Sequence, residues 1–184
     1  MDQQMDWLTG LGDVEEPVAD PIGQPALEPV GLEKIASFQI DHTVLSPGLY
    51  RSRTDGDVTA YDLRFVRPNT PPFLTTGSVH TIEHLFETFI RSSAFADRII
   101  HFGPMGCRTG FYLLTRHMTP ESVITLTREA LAFIAHFEGD IPGATAAECG
   151  NYLDHDLAQA KSDAVRMLAV LYTWSEADLR YPRM

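Results

Sequence analysis

Four prolines spaced four residues apart, Pro17, Pro21, Pro25 and Pro29, set the first limit on how this chain folds. Proline lacks a backbone N–H and fixes φ near about −65°, so a segment interrupted this often can neither run as a helix nor sit inside a sheet. The same segment is acidic. Residues 1–36 hold Asp2, Asp6, Asp13, Glu15, Glu16, Asp20, Glu28 and Glu33 against Lys34 alone, which places −7 of the chain's −11 there. High charge with scattered apolar residues argues for a tail with no core of its own. The expected organisation is a tail over 1–36 and one folded domain over 37–184, a normal single-domain length.

The charge also excludes partners. A net charge of −11 lacks the basic footprint that sequence-independent nucleic-acid binding or docking on an anionic membrane requires. No apolar run reaches the roughly 18 residues of a membrane span. The first residues, MDQQMDWLTG, carry acids where a secretory leader needs bases. The expectation is a cytoplasmic protein whose Cys107 and Cys149 are free thiols rather than a disulfide.

Within the domain, Tyr61, Leu63 and Phe65 alternate with Asp62 and Arg64, the period of a half-buried strand over 60–67. On that reading Arg64 lies on the polar face, where it either holds an anion or faces water. Ile82, Leu85, Phe86, Phe89 and Ile90 form the stripe of an amphipathic helix over 80–92, and its aromatics are core. Strands over 98–102 and 109–115 flank a turn at 103–107. Thr119-Pro120 caps a helix over 119–138, stopped by Gly139. A third helix is expected over 155–174. Strands and helices without a βαβ rhythm indicate an α+β fold, mainly an antiparallel sheet packed against helices.

Three stretches carry chemistry. His80-Thr81-Ile82-Glu83-His84 puts two imidazoles at i and i+4 on one helix face, where both reach one ion, with a carboxylate alongside. This H-x-x-E-H order is a metal-hydrolase signature, although five residues fit a helix with two solvent histidines equally well. Cys149, beside Gly150, is the candidate third ligand. Two His and one Cys leave a tetrahedral ion with one open position, the mark of a catalytic site. His42, His101 and His155 are rivals for that place. Cys107 lies among Gly103, Gly106 and Gly110, where backbone closely approaches a ligand. It is a nucleophile, a proton carrier, or simply a small residue in a tight turn. His117 and His136 have no constellation around them.

Taken together, these stretches resemble the S-ribosylhomocysteine lyase (LuxS) family. The similar text is SFQIDHT (37–43), YDLRFVRPN (61–69), HTIEHLF (80–86), GPMGCRTGFY (103–112) and ECGNYLDHDL (148–157), in the family's order and spacing. Residues 1–36 fall outside it. The resemblance implies an α+β homodimer with two active sites at the interface, built from both chains. It implies that His80, His84 and Cys149 bind Fe²⁺, for which Zn²⁺ or Co²⁺ can substitute. It assigns proton transfer to Cys107 and Glu83, and substrate contacts to Ser37, His42 and Arg64. The reaction implied is cleavage of S-ribosylhomocysteine to homocysteine and 4,5-dihydroxy-2,3-pentanedione, the autoinducer-2 precursor of quorum sensing. Ile99–Gly103 departs from the family pattern, which has an acid near His101 and a serine near Gly103.

That reaction needs what these residues offer. The thioether leaves ribose C5 only after a carbonyl has moved from C1 to C3, which acidifies the C4 proton. Each shift requires a base, an acid and a Lewis acid. Two other readings compete: an inverzincin-type metallopeptidase, and a non-catalytic metal-binding regulatory domain with the acidic tail as a docking arm.

Overall fold

The computed structural model describes Gly31 and residues 35–182. The expected tail lies almost entirely outside the described residues. The elements in chain order are β1 (Gly48–Asp55), β2 (Val58–Arg64), α1 (Thr76–Arg91), β3 (Ile99–Pro104), β4 (Gly110–Arg116), α2 (Pro120–His136) and α3 (Leu157–Leu171), with short 3-10 turns at Ala36–Phe38, Ala96–Arg98 and Glu176–Leu179. The fold is α+β: one antiparallel sheet of order β1-β2-β4-β3, and three helices.

Each helix starts where a side chain satisfies its free N–H groups. Thr75 accepts from the Ser78 N–H, Thr119 from Ser122 with Pro120 following, and Asp156 from Gln159. Helix α1 begins at Thr76, four residues before the expected start at 80, because Thr75 supplies the cap. Helix α3 ends at Leu171 rather than 174. Arg128 donates to the carbonyls of Leu171, Tyr172 and Trp174, fastening that end to α2. Strand β1 was not legible in the sequence. Its exposed half, Arg51–Asp55, lacks an apolar alternation.

The register explains the two faces of the sheet. Leu49, Leu63 and Phe111 align across β1, β2 and β4, and Tyr61, Leu113 and Phe102 across β2, β4 and β3. These residues are all buried, in one cluster with Val79, Ile82, Leu85, Phe86 and Ile90 of α1 and the apolar faces of α2 and α3. Phe86 stacks on Phe102 with centroids 4.0 Å apart, and Phe102 on Phe111 at 5.0 Å. The opposite face carries Tyr50, Asp62 and Tyr112 in one row and Gly48, Arg64 and Gly110 in the next. The alternation in β2 is as expected, but its second face is not solvent-facing: Asp62 and Arg64 are 1% and 2% exposed. A charged pair is tolerated there because each partner neutralises the other.

Gly110 has a steric purpose. A Cβ there would come within 2.3 Å of the Leu63 carbonyl oxygen and 3.0 Å of the Arg64 Cα, both backbone atoms that cannot rotate away. Gly110→Ala should destabilise the domain by about 1–3 kcal/mol, in the range of overpacked interiors. Urea unfolding of the variant against wild type measures it.

Candidate functional site

One end of the site is an imidazole–thiol cluster. His80 and His84 stand one turn apart on α1, and the 142–156 segment closes over them. The His80 Nδ1 bonds the Asp154 carbonyl at 2.9 Å, and the His84 Nδ1 bonds the Pro142 carbonyl at 2.8 Å. A carbonyl only accepts, so both rings carry their proton on Nδ1 and present an Nε2 lone pair. His155 follows the same pattern by a longer route. The Thr81 hydroxyl donates to the Gly77 carbonyl, so it accepts from the His155 Nδ1 at 3.2 Å. The His155 Nε2 is then a buried acceptor without a partner among the described residues. Burial, with His80 and His84 alongside, holds this imidazole below its ordinary pKa.

His80, His84, His155 and Cys149 offer donor atoms that all lie within 4.8 Å of one another. The Cys149 Sγ is 3.3 Å from the His80 Nε2. Two ligands at about 2.3 Å and 2.0 Å from one tetrahedral ion stand about 3.5 Å apart, so this spacing fits a shared metal. The donor set fits as well: neutral imidazoles and a thiol, each ring oriented by a second bond. His155 stacks on His80 with centroids 4.1 Å apart. Of the rivals for the third ligand, His155 joins this cluster beside Cys149, whereas His42 and His101 do not. Glu83 lines the same hollow, of about 530 Å³.

The second thiol lies elsewhere. Cys107, Ser37, His42, Arg64, Thr109 and Tyr112 line one cavity of about 410 Å³. The 105–109 turn presents Cys107, closed by Met105 N–H to Gly110 and Arg108 N–H to Met105, each 2.9 Å. Arg108 takes φ 56°, a left-handed conformation that costs a non-glycine residue energy, so the turn is held by its surroundings. The Cys107 Sγ is 3.0 Å from the Thr109 hydroxyl and 4.0 Å from Arg64 Nη1. Arg64 also donates to Thr109 and, through Nη2, to Asp62 at 2.5 Å. His42 bonds the Ile40 carbonyl, not its neighbour Asp41, whose carboxylate takes Thr43 instead. His101 lies on β3 with its ring over Gly103, where a Cβ would be 2.5 Å from Nε2.

A third hollow links the two ends. His80 and Glu83 line it from α1, and Pro104, Met105 and Gly106 from the cysteine turn. His155 was a rival ligand on sequence grounds and joins the cluster, whereas nothing in the sequence marks Asp62 or Thr109 as parts of the site. Asp62 lies within the recognised strand pattern, on its polar face, but nothing in a sequence marks which polar face of a strand is buried.

The arrangement defines a class: an α+β protein with a His/His/Cys cluster able to hold a divalent metal, and a separate arginine-flanked thiol. The chain belongs to the S-ribosylhomocysteinase (LuxS) family, whose model matches residues 35–178. It is 48% identical over 157 residues to the S-ribosylhomocysteine lyase of Clostridium acetobutylicum, covering 82% of this chain and 99% of that relative. It is 48% identical over 158 residues to the lyase of Desulfotalea psychrophila, at 82% and 99% coverage. The lyase of Borreliella burgdorferi is 40% identical over 157 residues, at 82% and 100%.

Thr81 ties the cluster to the fold, since its hydroxyl also accepts the Asp156 N–H that opens α3. Thr81→Val, which keeps the shape and leaves those donors buried, should lower stability by about 1–3 kcal/mol. Thermal or urea unfolding reads the loss.

Proposed function

We propose that this protein is an S-ribosylhomocysteine lyase, a carbon–sulfur lyase that releases homocysteine and 4,5-dihydroxy-2,3-pentanedione, and that it acts in the cytoplasm as a homodimer. The observation that carries this is the division of labour between two cysteines. Cys149 stands among imidazole lone pairs with Glu83 lining the same hollow, and Cys107 stands beside a guanidinium. The near-complete coverage of the lyase relatives supports the same reading over a peptidase. Among the described residues, no helix is long and apolar enough to cross a membrane. The reading keeps residues 37–184 as the catalytic domain and 1–36 as an appended tail.

In this proposal His80, His84 and Cys149 hold the metal, Fe²⁺ with Zn²⁺ or Co²⁺ able to replace it. When bound, the metal supplies a Lewis acid for the sugar oxygens. Cys107 and Glu83 exchange protons with the sugar carbons from two sides. Each carbonyl shift removes a proton from one carbon and returns one to the next, so paired groups of this kind serve both directions. After the last shift, loss of the C4 proton expels the homocysteine thiolate from C5. Ser37, His42 and Arg64 bind the substrate in the Cys107 cavity, where the guanidinium also stabilises negative charge on sulfur.

The dimer has support from the surface. Phe38 and Phe73 line the Cys107 cavity and are 66% and 37% exposed, and Ile35 is 55% exposed nearby in sequence. Apolar side chains left open at a site mark a surface that another chain covers. An interface there would let one chain's thiol cavity face its partner's metal cluster.

Incubation of metal-loaded protein with S-ribosylhomocysteine should release thiol measurable with a chromogenic disulfide reagent, and a chelator should abolish it. Cys107→Ala and Glu83→Gln should each lower kcat by about 10²–10⁴-fold with metal content unchanged, whereas Cys149→Ala should lose metal. Peptide cleavage with intact S-ribosylhomocysteine would overturn the reading. Co-expression tests the shared sites. Cys107→Ala mixed with His80→Ala should regain activity that neither variant has alone, because one site of each mixed dimer is then intact. No recovery would place each site within a single chain.

A further inference from the structure

The Cys107 cavity has a layer behind it that the reaction does not use. Arg64 is 2% exposed, and its hydrogen bonds are to Asp62 through Nη2 and to Thr109 and Cys107 through Nη1. Its Nε has no partner among the described residues, so the guanidinium is fixed at its two ends only. Asp62 is 1% exposed, and its Oδ2 carries the whole load. It accepts from Arg64 and, at 3.2 Å, from the Tyr181 hydroxyl, while Oδ1 has no partner among the described residues.

Tyr181 comes from the far end of the chain, beyond the residues 35–178 that the family model matches. It is fastened to β1. Its ring stacks on Tyr50 with centroids 5.1 Å apart. Trp174 packs edge-on against Tyr50 and donates to the Leu49 carbonyl at 2.9 Å, which pins the start of the same segment.

We propose that Asp62, buttressed by the C-terminal Tyr181, is a positioning residue that clamps one end of Arg64 so that the other stays aimed at the Cys107 sulfur. The alternation of β2 puts Asp62 and Arg64 on one face, and glycines at 48 and 110 flank Arg64 in register. Trp174 and Tyr50 fill the space over Gly48 and strand backbone the space over Gly110, so the aim of the guanidinium is set by the contacts at its two ends, and Asp62 is the charged one. The last residues of the chain thus act on a thiol that they do not touch. The catalytic consequence rests on the assignment of Cys107 above, but the clamp itself is tested without substrate.

The test compares alkylation of Cys107 by iodoacetate and by iodoacetamide in full-length, metal-loaded protein, with the labelled peptide identified by mass spectrometry. The ratio of the two rates cancels the thiolate fraction and reports the positive charge beside the sulfur. Arg64→Met sets the floor, a ratio about fivefold below wild type, the effect of one unit charge near 4 Å in water-like surroundings. Asp62→Ala should fall to that floor, because a guanidinium released from its carboxylate turns to solvent. Tyr181→Phe should fall part of the way with metal content unchanged, and it carries the test if Asp62→Ala does not fold. A ratio that rises in Asp62→Ala would mean that Arg64 stays in place and Asp62 only offsets its charge, and the proposal fails. It also fails if both variants keep the wild-type ratio. Lyase activity absent in wild type with the ratios as expected would reject the proposed function and leave the clamp standing.

Discussion

The bonds from His80 and His84 to backbone carbonyls are the interaction on which the rest of the site depends. An imidazole has two nitrogens, and only a partner on one of them decides what the other offers. Asp154 and Pro142 supply those partners from a segment that has no regular structure of its own. The same two bonds tie that segment to α1, which brings Cys149 and His155 to the cluster. Ring orientation, ligand set and loop path are thus one constraint rather than three.

The sheet carries a second constraint. Its helix-facing side is a continuous apolar layer, and burial of that layer supplies most of the domain's stability. That frees the other side to hold an ion pair under 3% exposed, which would be costly in an unsupported position. Burial pushes the Asp62 carboxyl up while Arg64 and Tyr181 oppose it, so the carboxylate depends on its partners for its charge. The pair is then sensitive to anything that moves either member, and Tyr181 on Asp62 and Thr109 on Arg64 hold it from outside the strands.

The two thiols differ through placement, not through their neighbours in sequence. Each sits beside a glycine, at 106 and 150. Cys149 meets imidazole lone pairs and is suited to a metal; Cys107 meets a guanidinium and a hydroxyl and is suited to carrying charge itself. Glu83 is adjacent to a candidate ligand in sequence and lines two hollows, one with the imidazole–thiol cluster and one with the cysteine turn, engaging no donor among the described residues.

By itself the sequence determined the local periods and the chemical inventory. The i, i+4 histidines, the α1 stripe, the alternation in β2 and the caps at Thr119 and Pro120 follow from spacing, because helices and strands repeat with fixed periods. Five blocks in register were enough to place the family. What spacing could not reach was whatever depends on distant segments meeting. Strand β1 had too little alternation to stand out and is defined by its pairing with β2. Asp62 and Arg64 read as a polar face, and only the tertiary structure buried them. His155 was one of three rival histidines until Thr81 fixed its proton and left its lone pair facing the cluster. Tyr181 carries no signal at all, since its role comes from a contact with a carboxylate 119 residues earlier.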